Sequence, residues 1–340
     1  MIMKRLLFAV LTVFAVACTS GNGVKVTELK GEKVMTLDYK PSLPSMMVVD
    51  DLLIVANGRS NDKVMIYDKE TLALKSKITL AERPDYDRAL LFPIEGDEYI
   101  CGYFFPFFGD VYGLKKDLTS EQLKVGKYYA DVSSISFGMV SVAGANKDGV
   151  IFCGKDKPND RSAKGYCIWN YGAEKTDMLF DMTDGMNSGA FASSAGIMSM
   201  NEEVLVFGYK YHDWISFIDR KTGEVKTVKR DSPGFSIANE ADYSDKNPQY
   251  FNASLNVGEK VWIHNMEGYI PLDPNSHLAP YTRMECYSTK GELLDVFHLD
   301  HYGAFAVDEA VGKVYLISYE EEAGVYVYDI KELRAYGGTK

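Results

Sequence analysis

Apolar and polar residues alternate along this chain in short runs, and no segment carries an apolar stripe at helical spacing over a helix's length. The stretch from Lys63 to Leu80 shows the pattern most plainly. Val64 and Ile66 alternate with Met65 and Tyr67, the polar residues Asp68 to Thr71 follow, and Leu72, Leu74, Ile78 and Leu80 carry a second run. An Asp at the first turn position bonds its own backbone two residues on, so the stretch predicts a β-hairpin. The same strand and Asx-type turn return at Leu114 to Asp117, Ile168 to Asn170, Phe217 to Asp219, Cys286 to Ser288 and Tyr326 to Asp329.

These markers recur about every 40 to 70 residues, the spacing of four-stranded propeller blades. The expectation is an all-β, six-bladed β-propeller. Its blades begin near Met46, Ala89, Ile135, Ala190, Tyr250 and Tyr302. Glu32 to Asp38 reads as a strand that precedes the first blade, and closure of the ring needs it as the outermost strand of the last one. The tetrapeptide Gly-Ala-Phe-Ala occurs at Gly189 to Ala192 and again at Gly303 to Ala306, as innermost strands crowded about an axis require.

The 340 residues are enough for a large core, and 13% aromatic content suits a β protein. A net charge of −11 repels polyphosphates, which argues against nucleic acid as a partner. Residues 1–17 read as a leader, with Lys4-Arg5 ahead of an apolar run from Leu6 to Ala17 that is too short to span a bilayer. Ala15-Val16-Ala17-Cys18 is similar to a bacterial lipobox, although Leu is usual where Ala15 stands, and an ordinary A-x-A cleavage site is the other reading. Lipidation of Cys18 would leave residues 18–31 as a tether and 32–340 as the propeller. The membrane is then met only through the lipid anchor. Thr19 is not the Asp that retains lipoproteins at the inner membrane, so an outer-membrane location is expected, facing either side.

On these repeats and this amino terminus the chain resembles the TolB-like six-bladed propeller lipoproteins of bacterial envelopes. The resemblance implies architecture and location and carries no catalytic motif.

Site residues follow from loop length. The long connections, among them Phe105 to Asp110, Asp231 to Gln249 and Glu267 to Pro280, all fall on one face of a propeller, and long loops on a rigid scaffold carry binding function. That face would collect Phe105, Phe107 and Phe108, either as a stacking platform or as rings folded over the core. It would also collect Tyr211, His212, Asp213 and Trp214, where His212 is a candidate base beside Asp213, together with His277 and His301. Arg59 and Arg88, with Asp87, would stand at the axial mouth, either gripping a carboxylate or bridging locally.

No C-x-x-C, G-x-S-x-G, P-loop or G-x-G-x-x-G sits in the context it needs, so no cofactor is expected. Cys153 and Cys167 flank one loop and either form a disulfide or remain thiols. The function expected is non-catalytic: a binding or scaffolding propeller for an envelope protein or a glycan. The alternative is a metal-dependent propeller hydrolase, lactonase or lyase, for which Asn239, Glu240 and Asn252 are conceivable ligands.

Overall fold

The structure, a computed structural model, describes residues 18–19, 25–37, 44–57, 62–80, 89–105, 110–123, 141–154, 165–170, 175–180, 196–233, 247–269, 281–319 and 323–331. Among them there are strands and turns and no helix.

The chain opens with β1 (Cys18–Thr19), β2 (Lys25–Leu29) and β3 (Glu32–Thr36). Sheet one is then built from β4 (Ser45–Val49), β5 (Leu52–Ala56), β6 (Asp62–Asp68) and β7 (Leu74–Thr79). Sheet two has β8 (Leu90–Phe92), β9 (Tyr99–Phe105), β10 (Asp110–Lys115) and β11 (Ser120–Gln122), and sheet three has β12 (Ser141–Asn146), β13 (Gly149–Gly154), β14 (Gly165–Asn170) and β15 (Lys175–Phe180). Sheet four is β16 (Gly196–Met200), β17 (Val204–Tyr209), β18 (Trp214–Asp219) and β19 (Val225–Lys229). Sheet five holds β20 (Gln249–Val257), β21 (Lys260–Tyr269), β22 (Thr282–Ser288) and β23 (Leu293–Leu299). The last sheet holds β24 (Gly303–Asp308), β25 (Lys313–Ser318) and β26 (Gly324–Asp329), with β3 antiparallel to β26 at its outer edge, Met35 opposite Val325.

Each sheet is an antiparallel meander, and the first strands β4, β8, β12, β16, β20 and β24 touch one another in that order and back to β4. Apolar clusters fill the spaces between neighbouring sheets. Ile54 and Tyr103 belong to one, Val206 and Ile263 to another, and a further cluster joins Leu53 and Val55 of sheet one to Ala304 and Ile317 of the last sheet. The architecture is a β-propeller. At the head of β24 the neighbouring strand leaves room only for glycine: a Cβ built on Gly303 would lie 2.0 Å from the Ile317 carbonyl oxygen of β25.

The predicted turns form as the chemistry requires. Asp68 Oδ1 accepts from the amides of Glu70 (3.1 Å) and Thr71 (2.9 Å), and Asp219 Oδ1 accepts from those of Lys221 (2.9 Å) and Thr222 (2.7 Å). Asp117 and Asp329 cap their turns in the same way, through the amides of Thr119 and Lys331.

One expectation is corrected. Residues 25–29 are not tether: β2 lies parallel to β23, with Val26 opposite Val296 and Leu29 opposite Leu299, and β1 pairs antiparallel with β2. The reason is burial, because Val26 and Leu29 are 4% and 5% exposed and Leu29 joins the cluster of Trp262, Met284 and Phe297. Between the two readings of Cys153 and Cys167, the strand pairing places them one position out of register. The register sets Cys153 against Tyr166 and Cys167 against Phe152.

Candidate functional site

Residues of β4, β8, β12, β16, β20 and β24 line a cavity of about 590 Å³, called here the axial channel. An innermost strand has one edge with no strand beside it, so its backbone groups need other partners. Some come from the next sheet: Ser45 Oγ accepts from Leu91 N (3.1 Å), Ser254 Oγ from Phe305 N (2.8 Å) and Asn256 Oδ1 from Val307 N (3.4 Å). Between these polar groups the wall is aliphatic, with Met47, Val49, Leu91, Ile197, Leu255 and Val257 lining it. The channel therefore presents apolar surface and backbone edges together.

Of the residues expected on the long-loop face, Tyr211, His212, Asp213 and Trp214 do lie together, but not as a catalytic pair. Tyr211 is fully buried. His212 packs on Trp214 with ring centroids 5.0 Å apart, and Lys229 Nζ lies over Trp214, 4.0 Å from a ring centroid. Burial, and then the Lys229 charge, hold the His212 imidazole below its ordinary pKa. Asp213 turns instead to Ser232 Oγ, which donates to it at 2.7 Å, and to Arg230 at 3.2 Å. His212 and Asp213, in the bend between β17 and β18, thus have different partners, and His212 has no carboxylate bonded to it among these contacts.

For Phe105 the structure has the second of the two readings, a ring folded over the core. It is buried, edge-on to Tyr103 and to Tyr112 at 5.9 Å from each, inside the cluster between sheets one and two. His301 stacks on Tyr326 at 3.7 Å. Arg59, Asp87, Arg88, Phe107, Phe108 and His277 lie outside the described residues, as do Asn239 and Glu240.

The strongest electrostatic feature on this face is one that sequence reasoning missed. It runs along the seam between sheets four and five. The end of the β18–β19 hairpin sets Arg230 beside Asp213, its amide donating to the Asp213 carbonyl at 3.1 Å. From there the Arg230 guanidinium forks onto Glu285, Nη1 to Oε1 at 3.0 Å and Nη2 to Oε2 at 2.5 Å, and also donates to the Tyr287 hydroxyl. Glu285 is fully buried and takes further donors from Arg283 Nε (3.0 Å), Asn265 Nδ2 (3.1 Å) and Tyr287 (2.7 Å). Arg283 continues outward to Glu267 at 2.8 Å, which Tyr281 also bonds at 2.7 Å.

Burial by itself would raise the Glu285 carboxyl. Arg230, Arg283 and the Tyr287 hydroxyl together outweigh that and hold it below the ordinary range. Burial raises Asp213 despite Arg230, and burial with the Glu285 charge pushes Tyr287 well up. Backbone irregularity concentrates at the same end of sheet five. Two register shifts interrupt the β20–β21 ladder, and Ala253 (φ 68°) and Glu267 (φ 51°) sit in the left-handed region. A signal existed in the sequence. Arg283, Glu285 and Tyr287 alternate within one apolar strand, which puts all three on one face.

Fold and site together define a β-propeller with an axial channel and a charged seam opening on its long-loop face. No family model and no curated protein matches the chain. Solved structures do. A streptogramin B lyase is 10% identical with a TM-score of 0.48, over 88% of this chain and 97% of that one. The WD40 repeats of RRP9 are 8% identical with a TM-score of 0.49, over 87% and 97%, and virginiamycin B lyase from Staphylococcus aureus is 10% identical with a TM-score of 0.44, over 89% of each chain.

Proposed function

We propose that the protein is a non-catalytic binding propeller of the bacterial cell envelope. It is anchored through an acylated Cys18 as an outer-membrane lipoprotein and holds an envelope protein at its long-loop face and axial channel. In this reading the ring is six-bladed, TolB-like in architecture and closed by β3. The six sheets, the contact of β24 with β4 and the pairing of β3 with β26 support it.

One observation carries the binding assignment. The charged side chains best placed for acid–base work on this face, Asp213, Glu285, Arg230 and Arg283, are bonded to one another, while the channel offers an aliphatic wall interrupted by backbone-bonding groups. Such a wall suits an extended polypeptide, which brings apolar side chains and its own amides.

The test is photo-crosslinking in the envelope. A benzophenone amino acid at Ser199 or Val257, both on the channel wall, should give one protein adduct that Ile197→Trp, by narrowing the channel, abolishes. The same probe at Glu121 on outer strand β11 should give none. Equal adducts at all three positions, or adducts that Ile197→Trp leaves unchanged, would refute the assignment. A glycan ligand would leave the channel probes without a protein adduct.

A further inference from the structure

The amino-terminal segment ends at a particular place on the ring. Strand β2 is the outermost addition to sheet five, beyond β23, and β1 lies outside β2 with Cys18 opposite Val26. Two strand spacings separate Cys18 from β23, on the order of 10 Å. From the end of β2 the segment is bonded to the rim at Glu28, Leu29 and Gly31. Asp300 N donates to the Leu29 carbonyl at 3.1 Å, Gly31 N donates to Asp300 Oδ1 at 2.9 Å, and His298 Nδ1 lies 2.9 Å from Glu28 Oε1. Past Gly31 the chain becomes β3 and crosses to the last sheet.

The rim is not uniform. The large apolar side chains that are exposed among the described residues are Leu294, Val34 and Leu74. They stand on β23 of sheet five, ahead of the part of β23 that β2 covers, and on β3 and β7, the outer strands of the last sheet and sheet one; the three sheets are consecutive in the ring. Leu294 and Val34 are the extra residues where the register of their strands shifts, which turns them outward. Along this arc exposed Lys25, Lys30 and Lys33 are matched by exposed Glu32, Glu292 and Asp295, and Lys75 and Lys77 of β7 are ion-paired with Asp51, Asp68 and Asp62.

We propose that this arc of the rim is a membrane-contact surface, and that the protein stands edge-on against the phospholipid bilayer that holds its own acyl chains. The inference rests on lipidation at Cys18. An acyl group attached there begins about two strand spacings from β23, with no free leash to let the ring tumble, and Leu294, Val34 and Leu74 meet the headgroup region as shallow apolar contacts. Edge-on standing leaves both mouths of the axial channel open to the aqueous phase.

The test uses the full chain, made in a bacterium that processes lipoproteins and reconstituted in phosphatidylcholine vesicles containing brominated lipid. A bimane probe is placed on Leu294→Cys at the arc, on Glu121→Cys at the opposite rim, or on Lys147→Cys at the tight-turn face; Val34→Cys is a second arc position should Leu294→Cys misfold. Brominated lipid should quench the arc probe and leave the other two at full intensity. Equal quenching at the arc and the opposite rim, or quenching confined to Lys147→Cys, overturns the edge-on arrangement. Incorporation of labelled palmitate, lost in Cys18→Ala, is read in parallel. Label with an unquenched arc rejects the orientation alone, whereas absence of label rejects the lipoprotein reading on which it depends.

Discussion

Arg230→Ala is the sharpest perturbation the seam allows. The substitution removes both arms of the fork on Glu285, the bond to Tyr287 and the ion pair with Asp213. Glu285 remains fully buried, and Asp213 nearly so. Stranding a buried charge costs about 3–5 kcal/mol. Glu285 keeps Arg283, Asn265 and Tyr287 as donors, so the lower end of that range applies, about 3 kcal/mol. For a chain of 340 residues that is a fall of about 4 °C in Tm. The assay is thermal and urea unfolding followed by circular dichroism, on Arg230→Ala, Glu285→Gln and the double variant. Because the two side chains touch, the cycle should show a coupling of about 1–3 kcal/mol, the double variant costing less than the sum of the singles. A loss below about 1 kcal/mol for Arg230→Ala, or strict additivity, would show that the seam does not hold sheets four and five together and would refute the reasoning.

Other consequences are as concrete. His264, fully buried against Tyr302 and Phe305, has its pKa lowered to about 4 by burial, from an ordinary 6.5. The unfolded chain therefore binds the extra proton first. Stability is at its full value above the unfolded pKa and falls as the solution is acidified toward the folded one, by about 3 kcal/mol in all. His264→Phe should flatten that limb in urea titrations at several pH values, and an unchanged slope would count against it. Glu285, whose folded pKa is depressed, contributes stability that is present above the ordinary carboxylate range and is lost only at still lower pH, so Glu285→Gln should alter the most acidic end of the same curve. Leu29→Ala should cost about 2–5 kcal/mol in chemical unfolding, because the side chain is part of the core between sheet five and the last sheet, and a cost near zero would return residues 25–29 to a tether. Gly303→Ala should unfold or severely weaken the chain, since the clash is with backbone. Gly96, at φ 107° with open space around it, should show only the strain of its turn when replaced.

What the sequence determined by itself was everything that depends on neighbours along the chain. Val64 to Tyr67 and Val204 to Tyr209 are short apolar runs rich in β-branched and aromatic residues, which read as buried strands, and Asp68, Asp117 and Asp219 build their turns from amides two or three residues on. The use of Glu32 to Thr36 against β26 was legible because a repeat lacking its last strand needs one. What only tertiary structure decided was the pairing of side chains distant along the chain. His212 and Asp213 look like partners in the sequence, yet Asp213 belongs to Arg230, and Arg230 to a glutamate 55 residues further on. The charge on Arg283 and Glu285 reads as a solvated strand until a second sheet covers it. Lys25 to Leu29, polar enough for a linker, becomes a strand because β23 presents an open edge and a pocket for two apolar side chains. Local backbone preferences act over a few residues and can be read one residue at a time. Burial and charge pairing act across space, and they acquire values only once the sheets have been brought together around an axis.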